Sequence, residues 1–206
     1  PYSSSKGCSE LVTSAYRRSF FADNSSVCLG SARAGNVIGG GDWSQDRLIP
    51  DALHAFGSNQ PLVIRNPLAT RPWQHVLEPI SGYLMLAESL YLNGKAYAEA
   101  WNFGPKDECV KPVGDVMDRL VTLWPGDVSW VLDSSDHPHE AELLKLDISK
   151  VKMRLKWKPT WDLNKTLQSI IEWHQSWLND EDMRSVTLGQ IDNYENTLKE
   201  MNNAND

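Results

Sequence analysis

Cysteine is scarce in this chain. Only Cys8, Cys28 and Cys109 occur in 206 residues, and none stand in CxxC spacing. An odd, scattered set argues against a disulfide framework or a zinc ribbon and fits a reducing cytoplasm. The five histidines show no HxxxH or HExxH spacing, so no metal is expected. Positive charge is also short, with 20 Lys and Arg against 27 Asp and Glu, a net charge of −7. Such a chain is a poor binder of phosphate backbones, and no nucleic-acid partner is expected. No apolar run approaches the roughly 20 residues that span a bilayer. Signal-peptide and lipidation motifs are lacking too, so no membrane partner is expected. An initiating Met is missing, and Pro1-Tyr2 already reads as active-site sequence. The expectation is an incomplete chain, the later part of a longer protein.

What is present is ordinary for a soluble globular protein. Hydrophobic residues make up 41% and charged residues 23%, enough for a buried core without staples. Nine tryptophans read chiefly as core and interdomain packing.

The apolar spacing alternates between helical and strand periods. Leu11, Val12, Ala15, Tyr16, Phe20 and Phe21 suit one face of a helix over 3–21. The turn cluster 23–26 follows, then a buried strand over 27–32 and a glycine-rich loop over 33–43. A helix is expected over 48–56, a strand over 62–64 and a polar loop through Pro72. Further helices are expected over 76–92, 113–123 and 163–178, the last with a clear apolar face. Strands are expected over 100–103 and 128–132, with 143–146 as a candidate for another. The tail after Asp180-Glu181-Asp182, read as a solvated acidic cluster, allows one short helix over 191–198 before fraying. Helix, turn, strand and glycine loop in this order suit the late part of a doubly wound α/β sheet, whose ligands sit beyond the carboxyl ends of the strands.

Tyr2 and Lys6 stand one helical turn apart, with Cβ atoms about 6 Å from each other on one face. An ammonium beside a phenol stabilises the phenolate, the form that takes a proton from a substrate hydroxyl. The spacing alone is weak, since Tyr91 and Lys95 share it at a helix end. Context strengthens it. Pro1-Tyr2-Ser3-Ser4-Ser5-Lys6 through Glu10 resembles the PYxxSKxxxE segment of the extended short-chain dehydrogenase/reductase family. Arg33-Ala34-Gly35-Asn36-Val37-Ile38-Gly39 resembles its RxxNVxG segment, and Asn102-Phe103-Gly104 its later NxG. Trp157-Lys158-Pro159 with Leu163 is similar to its GWxPxxxL, with Lys156 at the usual glycine. The four segments come in family order and cover the chain from end to end.

Within the family, the stretch from Arg33 to Trp43, Ile64-Arg65-Asn66-Pro67, Arg71 to Pro79 and His139-Glu140-Ala141 resemble the nucleotide-sugar 4,6-dehydratases that act on CDP-glucose. That resemblance implies the C-terminal part of a Rossmann-type doubly wound parallel sheet plus a smaller α/β substrate-binding domain. Residues 1–38 would end the dinucleotide domain and 39–66 would enter the substrate domain. Residues 67–106 would return to the sheet, and 107–206 would complete the substrate domain and tail. It implies NAD as cofactor, held by Tyr2, Lys6 and Arg33, with Tyr2 and Lys6 catalytic. It implies a homo-oligomer, and a deoxysugar precursor as product. The family's glycine-rich dinucleotide turn and its elimination acid and base precede the Tyr motif and do not occur here.

For the nucleotide-sugar, the resemblance and charge logic point to Asn36, Leu48, Ile49, Val63, Ile64, Arg65, Arg71, Asn102 and His139. Arg71 suits a pyrophosphate because guanidinium binds it in a bidentate fork. Leu48 and Ile49 open a helix and offer backbone N–H groups. Plainer alternatives stand beside these: Arg71 as a surface ion pair, Asn36 as a loop cap, and Leu48, Ile49, Val63 and Ile64 as core. His75 reads as packing or hydrogen bonding, and His54 and His174 as partly buried structural residues. Another epimerase or reductase of the same fold is the enzymatic alternative. A non-catalytic module binding a nucleotide-sugar or a partner is the alternative of another class. A parallel sheet without its first strands exposes an apolar edge. The 206 residues alone are therefore expected to aggregate or to bind no NAD, and stoichiometric NAD binding in a calorimeter would refute this.

Overall fold

Residues 1–22, 25–135 and 143–204 are described by a computed structural model. Helix α1 (Tyr2–Ser19) leads to β1 (Ser31–Ala34) and β2 (Asn36–Ile38). Next come α2 (Leu48–Gly57), β3 (Leu62–Ile64), β4 (Thr70–His75) and α3 (Leu77–Asn93). A 3-10 turn joins α3 to β5 (Ala100–Phe103), followed by β6 (Val110–Pro112) and α4 (Val113–Leu123). The chain continues through β7 (Trp130–Leu132), α5 (Ser149–Arg154), α6 (Leu163–Leu178) and α7 (Met183–Asn203). It divides into two units.

The first unit comprises Pro1–Ala34, Pro79–Phe103 and Leu146–Lys158. Here β1 pairs in parallel with β5, from Ser31 opposite Ala100 to Ala34 opposite Phe103. Parallel strands need a crossover and helical cover, and α3 and α5 provide cover. Gly82 lets α3 lie directly on Phe103, whose ring a Cβ at that position would strike. Tyr83 and Trp157 meet the Phe103 ring edge-on, each at 5.3 Å. Leu86, Trp101, Ile148, Val151 and Leu155 complete this core, each large side chain contributing about 1.5–3 kcal/mol. Helix α1 carries no buried residue. Its Leu11 and Phe20 are 72% and 67% exposed.

The second unit comprises Gly35–Glu78, Gly104–Lys145 and Pro159–Asp206. Its sheet runs β2-β4-β6, with β2 parallel and β6 antiparallel to β4. Gly35 lets the chain enter β2 hard against β4, because a Cβ there would lie 2.9 Å from the Pro72 carbonyl oxygen. A separate parallel pair joins β3 to β7. Ile49, Leu53 and Phe56 of α2 pack with Val116, Met117 and Leu120 of α4 and Leu167 and Ile170 of α6. The 3.6-residue spacing of apolar groups on these helices is what turns one face of each inward. Asp162 caps α6 by accepting the Lys165 N–H at 2.8 Å.

Glu78, at the start of α3, is buried in this unit. Its carboxylate accepts the Thr160 N–H at 3.0 and 2.9 Å, the Trp161 N–H at 2.6 Å and the Tyr194 hydroxyl at 3.0 Å. Burial pushes its pKa up, while these donors pull against that shift.

Several expectations need correction. The strand expected over 27–32 is β1, four residues later at its start, because pairing begins where β5 begins, at Ser31 opposite Ala100. The glycine loop over 33–43 contains the end of β1 and all of β2. The polar loop expected through Pro72 spans only 65–69; its last three residues open β4, whose ladder to β6 stops at Pro72, opposite Val110; proline brings no N–H to extend it. Of the strand over 143–146, only a single bridge from Leu143 to Thr70 forms. The tail is a 21-residue helix, α7, rather than a short one. Asp182 is its N-cap, accepting from the Arg184 N–H and the Ser185 hydroxyl. Its own sequence is weakly apolar, and tertiary bonds hold it: Trp173 to Thr187 at 3.0 Å, Gln190 to the Ser169 carbonyl at 2.6 Å, and Tyr194 to Glu78. His174 is buried, but His54 is exposed on α2 rather than partly buried.

Replacing Glu78 by Ala strands three buried donors, each worth about 1–3 kcal/mol when unsatisfied. Urea unfolding should show a loss of about 3 kcal/mol or more for Glu78→Ala. Glu78→Gln keeps one acceptor oxygen and should lose clearly less.

Candidate nucleotide-binding site

The second unit holds a cavity of about 270 Å³ where the start of α2 faces β3 and β4. Asn36, Leu48, Val63, Ile64, Arg65 and Arg71 all line it. Six of the nine residues expected to bind substrate thus meet at one place. The expectation did not include Asp46, Arg47, Asp51, Asn66, Trp73 and Val113, which line it as well.

The local sequence explains the arrangement. Asp46 takes φ +57°, the left-handed region, just before Arg47 caps α2. The first N–H groups of a helix have no partner within it and carry its positive dipole end. Pro50 has no N–H, and that of Asp51 bonds the Arg47 carbonyl at 2.9 Å. This leaves Leu48 and Ile49 as the donors of the first turn. The Leu48 side chain lines the cavity, whereas that of Ile49 is in the core at 2% exposure. On β3, Val63 is exposed and Ile64 buried. Arg71 donates to the Thr70 carbonyl at 3.0 Å. Three arginines face two aspartates here, so the cavity reverses the sign of the whole chain.

Asp51 is the electrostatic centre of one wall. Burial and the neighbouring Asp46 carboxylate push its pKa up, and Arg65, His54 and the Asp46 N–H draw it down. The pair Asp46 and Asp51 has a sequence signal, since both flank the Arg47-Leu48-Ile49-Pro50 helix start.

Of the remaining expected residues, Tyr2, Lys6, Arg33 and Asn102 belong to the first unit. Lys6 Nζ lies 5.5 Å from the centre of the Tyr2 ring, and Tyr2 is 72% exposed. The structure therefore does bring these two groups onto one open face of α1. Arg33 is paired with Glu10 at 2.9 Å. Asn102 donates to the Asp147 carbonyl at 3.1 Å. His139, with Glu140 and Ala141, lies outside the described residues.

His75 ends β4 inside the core at 2% exposure, 4.8 Å from the Trp161 ring. Its Nδ1 accepts the Leu77 N–H at 3.3 Å. Burial, with a smaller contribution from Lys165, lowers its pKa to about 4. A second, larger cleft of about 400 Å³ is lined by Trp43, His54, His174 and Trp177 among others, and by none of the residues expected to bind substrate. Trp43 and Trp177, 4.5 Å apart there, are half-exposed rather than core.

The fold is shared with solved structures of a dTDP-glucose 4,6-dehydratase and a UDP-N-acetylglucosamine 4-epimerase. No family model matches the chain. Along 94% of its length it is 54% identical to CDP-glucose 4,6-dehydratase of Salmonella typhimurium, and it covers 55% of that protein. The dTDP-glucose 4,6-dehydratase of Streptomyces venezuelae, solved with NAD bound, superposes with a TM-score of 0.68 at 21% identity, over 88% of this chain and 53% of that one. UDP-N-acetylglucosamine 4-epimerase of Methanobrevibacter ruminantium gives 0.69 at 20% identity, over 86% and 54%. The chain thus spans about half the length of the proteins it matches. No helix among the described residues is long and apolar enough to cross a membrane.

The lowered pKa of His75 has a defined pH consequence. The folded state keeps the ring neutral while the unfolded chain protonates from about 6.5 downward. Stability is full above that value and falls as pH drops toward about 4, by about 3 kcal/mol in all. Unfolding curves between pH 7 and 4 should show a shallower decline for His75→Phe than for the natural protein.

Proposed function

We propose that this chain is part of an NAD-dependent enzyme that dehydrates CDP-glucose to CDP-4-dehydro-6-deoxyglucose. The observation that carries this reading is the 54% identity, along nearly the whole chain, to a CDP-glucose 4,6-dehydratase. The cavity supports it chemically. A CDP-sugar brings about two negative charges on its pyrophosphate, and Arg71 and Arg47 with the Leu48 and Ile49 N–H groups supply donors suited to them. Val63 and Ile64 supply apolar surface for a base.

Tyr2 and Lys6 present a hydroxyl and an ammonium on one exposed face, a donor set that suits the vicinal hydroxyls of a nicotinamide ribose. NAD, when bound, supplies the hydride acceptor at sugar C4 and the hydride that returns to C6. Tyr2 Oη takes the proton of the C4 hydroxyl. The Lys6 charge over the ring opposes the negative charge that develops on that oxygen. The resulting ketone acidifies the C5 hydrogen, which permits loss of water across C5 and C6. No residue of this chain is assigned to that elimination.

The exposed Leu11, Val12, Tyr16 and Phe20 of α1 support pairing of this helix with its copy in a homo-oligomer, since an apolar face of this kind marks an interaction surface. The cytoplasm and a deoxysugar pathway, such as one feeding O-antigen synthesis, are the setting this reading implies.

The test is product formation by the intact protein, read as the alkali absorbance of a 4-keto sugar, with CDP-, UDP- and dTDP-glucose compared. Tyr2→Phe should lower kcat by about 10²–10⁴-fold, the usual range for losing a general base, with nucleotide binding retained. An epimerised sugar without the keto absorbance would refute the dehydratase reading.

A further inference from the structure

The nucleotide cavity has a carboxylate and a guanidinium set on one wall beside an apolar strand. Asp51 lies in the first turn of α2, and Arg65 follows Val63 and Ile64 directly after β3. Both line the cavity, and their charges act on each other. The Asp46 backbone N–H, like Arg65, favours the ionised form of Asp51. A carboxylate has about four lone-pair sites, enough to accept from a ligand beside these neighbours.

The Watson–Crick edges of the pyrimidines differ at one end. Cytosine presents the N4 amino donor, followed by acceptors at N3 and O2. Uracil and thymine present the O4 acceptor and an N3–H donor instead. An acceptor beside a donor fork matches cytosine in order: carboxylate to N4, guanidinium to N3 and O2. The same wall sets a carboxylate against O4 of uracil or thymine, an unpaired contact of like partial charge. Discrimination through such a contact works by penalising the wrong ligand.

We propose that Asp51, with Arg65 beside it, reads the base of the bound nucleotide and makes this cavity select cytosine over uracil and thymine. The inference rests on the reading that the cavity takes the nucleotide part of the substrate. Asp51 is then a specificity residue, distinct from the groups that hold the pyrophosphate.

Calorimetry on the intact protein with CDP, UDP and dTDP tests it. The natural protein should bind CDP about tenfold to hundredfold tighter than the other two, the usual worth of one correct base contact. Asp51→Asn, whose amide can turn either its donor or its acceptor to the base, should bring the three affinities within about threefold. UDP binding should hold or improve. Asp51→Ser serves the same purpose should the Asn variant not fold. A variant that keeps the CDP preference overturns the inference and leaves the cavity reading intact. So does one that weakens all three nucleotides equally, since Asp51 would then only position Arg65. Failure of the natural protein to bind any of the three overturns the cavity reading, and this inference with it.

Discussion

A buried carboxylate holds the second unit together. Glu78 gathers two consecutive backbone N–H groups and a tyrosine hydroxyl. The carboxylate sits at the start of α3, and its donors come from the turn ahead of α6 and the middle of α7. Without those donors a charge at 1% exposure would be untenable. Without the carboxylate, the donors would face an apolar surround. The mutual need ties these three elements together and, with the Trp173–Thr187 and Gln190–Ser169 bonds, holds α7 in place. His75, three residues before Glu78, keeps its ring neutral in the same interior.

The cavity shows how an acidic protein can gather cationic side chains in one place. Arg47, Arg65 and Arg71 come from three different elements and converge only through folding. The β2-β4 pairing supplies Asn36 and Arg71, and the kinked entry at Asp46 aims the start of α2 inward. Local concentration of charge matters more here than the total, because field from nearby groups dominates within a Debye length.

Much of this was legible in the residues, and the reasons for the exceptions are physical. Helix α6 matched its expected bounds because Leu163, Leu167, Ile170, Ile171 and His174 repeat at helical spacing and Asp162 caps it. The cavity residues on β2, α2, β3 and β4 were accessible through motif resemblance, and Asp46 and Asp51 escaped because no periodicity marks an acidic residue at a helix start as inward-facing. Strand β4 was hidden by Pro72, a residue that reads as a breaker until its neighbours on both sides are known. The length of α7 was hidden because its stability comes from Ser169, Trp173 and Glu78, far away in sequence, rather than from its own propensity.

The separation between Glu78 and its last partner has a bearing on biogenesis. Tyr194 follows it by 116 positions. A ribosome adding about 5–20 amino acids per second takes on the order of ten seconds to cover that stretch. Until then Glu78 lacks the Tyr194 hydroxyl, and water or the earlier-made Thr160 and Trp161 N–H groups stand in for it. The full set of bonds to Glu78 is accordingly completed only once α7 has been made and has docked.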